Sequence, residues 1–332
     1  MKNTGLLIGT GVIMLATSGC SLYGMVGDAV GSYAVDEMVP YVLSTSDLDM
    51  ACEDGRSIGN LLMSFGRVTE APHQAAVVTY LAAGMCAEFE SQASQLNHIR
   101  ALKAGAATVA NDHRIEQKRA HVRAATRFLK SYQEMRVAYP GDLCALENRE
   151  DQLLSLLGLA AGVQALLHDR SASGAVGVDM GILVTVARES ECFNSAKWWG
   201  VPQALRSVIY LSVPGSGPEG EDGWELLDAA VKQGDQAGVR LARALLVEAA
   251  HALGQGPALK EVIRGHVNVA KGKQILNEGR LLDAYANRKV EHMSDIIWME
   301  ETGYRTPLGQ LGNFLEQPVV DDSDDLFDGL DG

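Results

Sequence analysis

Two stretches, 153–167 (LLSLLGLAAGVQALL) and 239–253 (VRLARALLVEAAHAL), are apolar almost all the way round at a helical period. A surface helix keeps one polar face, so helices of this kind must be enclosed by others. Two of them in one chain demand stacked layers of helices, which a simple bundle does not provide. The apolar content of 47% is ample for such a core. Alternating strand patterns are nearly absent, and the one β-branched run, SVIYLSV, continues directly from PQALR. The expectation is an all-α fold of stacked helical hairpins.

Periodicity and punctuation place the remaining elements. Residues 24–44 read as a helix interrupted near Pro40. Residues 47–67 and 72–104 form a hairpin about TEAPHQ, with Pro72 suited to a first helical turn. A strong helix follows from Asn111 or Asp112, either of which can cap it, to a stop at Pro140. On it Ile115, Val122, Ala125, Leu129 and Tyr132 share one face, and Arg119, Arg123, Arg127 and Lys130 form a basic stripe beside them. Further helices are expected at 179–192, 201–213, 223–233, 257–277 and 279–302. Paired alanines (75–76, 82–83, 124–125, 160–161, 249–250) permit close helix packing. No clean 34-residue period appears, and the consensus spacing of a tetratricopeptide repeat is missing. The array is therefore either a degenerate, TPR-like one or irregular. The connection VPGSGPEGEDG (213–223) is a possible boundary between halves 20–212 and 224–316. Residues 317–332 lack periodicity and carry a run of like charge, which reads as a disordered acidic tail. Leu326, Phe327 and Leu330 within it form either a short partner-binding motif or part of a solvated tail.

The start of the chain gives an address. Residues 5–16 (GLLIGTGVIMLA) are an apolar run diluted by glycine and threonine, well short of the about 20 residues that cross a bilayer. The length suits the h-region of a secretory signal, with Lys2 as a thin positive n-region. Ala16-Thr17-Ser18-Gly19-Cys20 is similar to a bacterial lipobox, although Thr17 stands where Leu is commoner. That resemblance implies a signal peptide over 1–19 and a lipidated Cys20. Acyl chains contribute about 0.8 kcal/mol per buried CH₂, enough for durable anchoring when two or three are attached. Ser21, in place of an Asp that would favour inner-membrane retention, implies an outer-membrane address facing the periplasm.

The formal charge is −14, and six aspartates lie between Asp321 and Asp331. An acidic chain is unsuited to nucleic acid, whose binding rests on phosphate neutralisation. With Cys20 assigned to lipid, Cys52, Cys86, Cys144 and Cys192 remain, an even count in an oxidising compartment. Three connectivities are open, as is a set of buried free thiols. The hairpin reading favours Cys52–Cys86, with TEAPHQ about midway between them, and by the same symmetry Cys144–Cys192 about HDRSASGAVG.

No catalytic motif emerges. None of the eight histidines lies three or four residues from another, so a helix-borne metal site has no support. PGSGPEG lacks the spacing of a nucleophile elbow, and GHVNVAKGK that of a phosphate loop. The expectation is a protein that is not an enzyme and needs no cofactor or metal. Two features remain. The basic stripe is either a solvated face with pairs such as Glu116–Arg119 or a contact for an acidic partner. NSAKWWGVPQAL (194–205) places Trp198 and Trp199 side by side, as core residues or as the wall of a ligand groove.

Three stretches, VGDAVGSYAV, SAKWWGVPQAL and EGRLLDAYANRKVEHM, resemble the T-component lipoproteins of tripartite ATP-independent periplasmic (TRAP) transporters. The resemblance implies a periplasm-facing, TPR-like helical protein, able to form homotrimers. It also implies a solute-binding protein as partner and a groove for a small or hydrophobic ligand. The resulting expectation is a lipid-anchored accessory or binding protein of a transport system, the alternative being a non-catalytic scaffold lipoprotein for envelope complexes.

Overall fold

The computed structural model describes residues 22–213, 215–270 and 275–315. The signal peptide over 1–19, Cys20 and the acidic tail lie outside the described residues. Within them the chain is all-α, with no strand.

The chain opens with α1 (Leu22–Tyr33), a π-helical turn (Ala34–Met38) and α2 (Val39–Leu43). The irregularity therefore precedes Pro40, which sits in the first turn of α2. Proline has no N–H, and its ring crowds the carbonyl four residues back. The turn ahead of it is widened instead, with Val39 N–H donating to Ala34 O. Next come α3 (Leu48–Ser64), α4 (His73–Lys103), α5 (Ala107–Ala138) and α6 (Arg149–Ser171). These four run up and down as consecutive hairpins, α4 and α5 each spanning about 46–48 Å at 1.5 Å per residue. The α3–α4 turn falls at 68–72, as the TEAPHQ reading expected.

Helix α5 begins earlier than expected. Gly105, at φ +72°, reverses the chain within three residues of the end of α4, so helical hydrogen bonding resumes at once. Asn111 and Asp112 consequently lie inside α5, and Ala106 precedes it without a side-chain cap. The buried row of α5 also differs from the expected one. Because α4 and α6 clasp it from two sides, Ala120, Ala124, Ala125, Phe128, Ser131 and Met135 are buried, whereas Ile115 is 42% exposed.

The second part of the chain comprises α7 (Gly181–Glu189), α8 (Val201–Ser212), α9 (Gly223–Ala237), α10 (Leu241–Ala252), α11 (Gly256–Ala270) and α12 (Arg280–Thr302). Helix α11 ends short of the expected 277, and residues 275–276 are not helical. One hydrophobic cluster reaches from Ala34 to Ala286. The stretches on either side of 213–223 thus share a single core. The two all-apolar segments are its centre: nearly every residue from Leu153 to Leu166 is buried, as are Leu241, Ala242, Ala244 to Val247, Ala249 and Ala250.

Small residues set the closest approaches. A Cβ on Gly55 would lie 2.6 Å from both Ala83 N and Thr79 O, so α3 rests directly on the backbone of α4. Helix α12 returns to lie parallel to α4 at constant register: Glu88 with Tyr285, Gln95 with His292, and Lys103 with Glu300 are each 197 residues apart. Leu96, Ile296 and Met299 pack along the same seam. This return decides which polar groups meet inside.

Candidate ligand cavity

Helix α4 presents Glu88, Gln92 and Gln95 on one face, at helical spacing i, i+4, i+7. Helix α12 presents Tyr285, Lys289 and His292 with the same spacing, and α6 adds Gln164 and His168. His121 of α5 and Glu248 of α10 complete a cluster drawn from five helices. Most of these residues line a cavity of about 220 Å³, whose remaining wall is largely apolar and includes Leu167, Val208, Leu245, Ala249 and Met293. The exposed Ser171, Ser212, Ala252 and Leu253 form its rim.

Lys289, 1% exposed, is the hub. Its Nζ donates to Glu88 Oε1 at 2.6 Å and to Glu248 Oε1. Tyr285 OH donates to Glu88 Oε2, and Gln92 Nε2 donates to Glu88 Oε1 at 3.3 Å. Burial opposes ionisation of Glu88, but the charge of Lys289 and the hydrogen bonds from Lys289 and Tyr285 outweigh it and hold its carboxyl below the usual range. Glu248 goes the other way: burial raises it, and Lys289 only partly compensates. Burial also opposes the Lys289 charge, yet the two carboxylates overcome it and keep the ammonium strongly protonated.

The histidines are held neutral. Burial pushes His168 and His292 down to about 3, and lowers His121 as well. His121 Nδ1 and His168 Nδ1 lie 2.8 Å apart, a contact that requires one to donate and the other to accept. His168 Nε2 stands 4.0 Å from Glu88 Oε2, and its ring stacks on Phe128. His292 Nε2 donates to Gln95 Oε1 at 3.0 Å, which leaves its Nδ1 as an acceptor. Two acceptor atoms in the cluster, Gln92 Oε1 and Glu248 Oε2, are buried and receive no hydrogen bond. Gln164 lies close enough to Glu248 to stabilise its charge, without giving Oε2 a well-formed bond.

The residues singled out by sequence fall elsewhere. Trp198 and Trp199 are 0% and 2% exposed and meet edge to face at 5.7 Å between ring centroids. Arg149 lies over the Trp198 ring, and Trp198 Nε1 donates to Gln152 Oε1 at 3.3 Å. Neither indole lines the cavity; both are core side chains, while Asn194, Ala196 and Lys197 of the same turn are exposed. The basic stripe is engaged within the protein. Arg119 pairs with Glu116, Arg123 with Glu90 and Lys130 with Glu134, each at 2.6 Å, and Arg127 Nη1 donates to Ala83 O at 2.9 Å. The four cysteines meet as two pairs: Cys52–Cys86 joins α3 to α4, and Cys144–Cys192 joins the turns before α6 and after α7. Their Cα separations of 5.3 and 4.5 Å lie within the disulfide range.

Sequence reasoning missed Glu88, Glu248 and Lys289. One signal was present: Glu248 interrupts the all-apolar LLVEAA, and an acid in a fully enclosed helix requires a buried partner. No protein-family model, curated protein or solved structure matches the chain. No helix among the described residues is long and apolar enough to cross a membrane.

Proposed function

We propose that the protein is a lipid-anchored binding component of a cell-envelope transport system, holding a small ligand in the five-helix cavity. The observation that carries this reading is a cavity of about 220 Å³ whose lining sets Glu88, Gln92, Gln164 and Glu248 against an apolar wall. Ligand sites are mostly apolar with a few placed polar groups, and the cavity has that composition. The ligand wall is thus assigned to α4, α6, α10 and α12, and no longer to Trp198 and Trp199. The lipobox-like segment ending at Cys20 and the two disulfide pairs support an extracytoplasmic address, with the outer membrane as the proposed anchor. The T-component resemblance supports a periplasmic solute-binding protein as the partner and a trimer as the assembly. Binding, with no turnover, is the proposed activity.

Cys20→Ala with cell fractionation and native mass spectrometry of the detergent-solubilised full chain test the two halves of the reading. Release of the variant from membranes and a retained small-molecule mass on the wild type are expected. Unchanged fractionation refutes the anchor. A bare protein mass with stable capture of an envelope partner favours the scaffold.

A further inference from the structure

Helix α1 is inverted relative to a helix that docks by its apolar face. At 100° per residue, Tyr23, Val26, Ala29, Val30 and Tyr33 fall within about 120° of one another. That face points outward: Tyr23 is 74% and Tyr33 63% exposed, Val26 and Ala29 are exposed, and Val30 is half-buried. Glycines face the protein instead. A Cβ on Gly27 would meet Thr69 Cγ2 at 2.6 Å, and one on Gly31 would meet Pro72 at 3.7 Å, so α1 rests by its smallest residues on the α3–α4 turn. Asp28, the one charged residue of α1, lies on the side away from the apolar face, where Thr69 Oγ1 donates to its carboxylate. The outward face is therefore uncharged along the 12-residue helix, a length of about 18 Å. The next charges, Asp36 and Glu37, follow in the π-helical turn and are exposed.

The chain's own path selects what covers this face. Cys20, the proposed lipid attachment site, precedes Leu22 by two residues, which span at most about 7 Å. An acylated Cys20 would hold the first turn of α1 at the depth of the lipid headgroups. Resting on that anchor, we infer that α1 is an interfacial helix, lying along the bilayer surface with its Tyr23–Val26–Val30–Tyr33 face set among the phospholipid headgroups. Tyrosine suits that layer, because its ring is apolar and its hydroxyl remains in water. The face offers no lysine or arginine, so its contact is apolar and needs no anionic lipid. The acyl chains supply the affinity; α1 supplies the orientation, bringing the α3–α4 turn beneath it to the membrane.

The test attaches a nitrobenzoxadiazole fluorophore to Tyr33→Cys in the acylated chain, reconstituted in liposomes of phosphatidylethanolamine and phosphatidylglycerol. Tyr33 ends α1 and lies on the apolar face, beyond the reach of tethering alone; Ser32, equally exposed, lies off that face and carries the label as Ser32→Cys for comparison. Circular dichroism checks that both labelled variants are folded. Lipids bearing a doxyl group just below the headgroup should quench the Tyr33→Cys label roughly twofold or more, since an interfacial helix sinks about 5–10 Å, and the Ser32→Cys label clearly less. Ala29→Glu, which puts a charge at the centre of the face, should reduce the quenching at Tyr33→Cys. A Tyr33→Cys label that stays in water, or equal quenching at Ser32→Cys, overturns the inference. A label shielded from water but untouched by doxyl lipid means that a second copy or another protein covers the face, and also overturns it. A chain that carries no acyl mass and does not float with liposomes overturns the anchor, and this inference with it.

Discussion

Acidification from pH 7.5 to 5 should destabilise the protein steeply, through histidines that the fold keeps neutral. His168 and His292 are held at about 3 and His266 at about 4, all by burial. In the unfolded chain each returns to about 6.5. A histidine with a depressed folded pKa lends stability above pH 6.5 and loses it as the pH falls toward the folded value. At pH 5, 1.5 units below the unfolded value, protonation of the unfolded chain costs each site about 2 kcal/mol, or about 6 kcal/mol for three. Glu248 acts in the opposite direction: its raised carboxyl is relieved on acidification and offsets part of that loss. Glu88 does not enter this window, because its depressed carboxyl loses its contribution only below the ordinary carboxylate range. Urea unfolding at half-unit pH steps measures the effect, with a slope approaching uptake of three protons on unfolding. His292→Gln, which keeps a donor toward Gln95, should remove about one of them. A stability that is flat between pH 7.5 and 5, or a slope unchanged in His292→Gln, would refute the reasoning.

Lys289→Met strands the buried carboxylate of Glu88 and the partly buried one of Glu248 and should cost about 3–5 kcal/mol in urea unfolding at pH 7.5, a deficit that narrows toward pH 5 as they protonate; a loss below 1 kcal/mol would contradict the hub role. Removal of either cysteine pair by double alanine substitution opens loops of 34 and 48 residues and should cost about 4 kcal/mol each by loop entropy. Chemical denaturation with and without reductant checks this, and each double variant should lose about half as much to the reductant as the wild type, because one pair remains. Gly55→Val places a branched side chain against the α4 backbone and should lower stability by roughly 3 kcal/mol or more, read as a drop in Tm.

What could be read from sequence was local. The α3–α4 hairpin followed from TEAPHQ and Pro72, and its symmetry pointed to Cys52–Cys86. The all-apolar run 153–167 announced a central helix, and the structure encloses it as α6. The cavity was not legible because its parts are remote. Lys289 lies 201 residues from Glu88 and 41 from Glu248, and they meet only because α12 runs back along α4. No periodicity encodes that return. The tryptophan pair misled for a related reason: adjacent indoles on a regular helix would diverge, but the turn at 194–200 is not helical and buries both. The basic stripe was correctly placed along α5, yet Glu90 and the Ala83 carbonyl, which engage it, belong to α4.

Whether the cavity is the ligand site is tested most directly by filling it. Ala249 is buried and lines the cavity, so Ala249→Phe occupies the space a ligand would use. Native mass spectrometry of full-length wild type and Ala249→Phe, matched for folding by circular dichroism, should show a small-molecule mass on the wild type that the variant lacks. A bare wild-type mass, or the same added mass on a folded Ala249→Phe, would contradict the assignment.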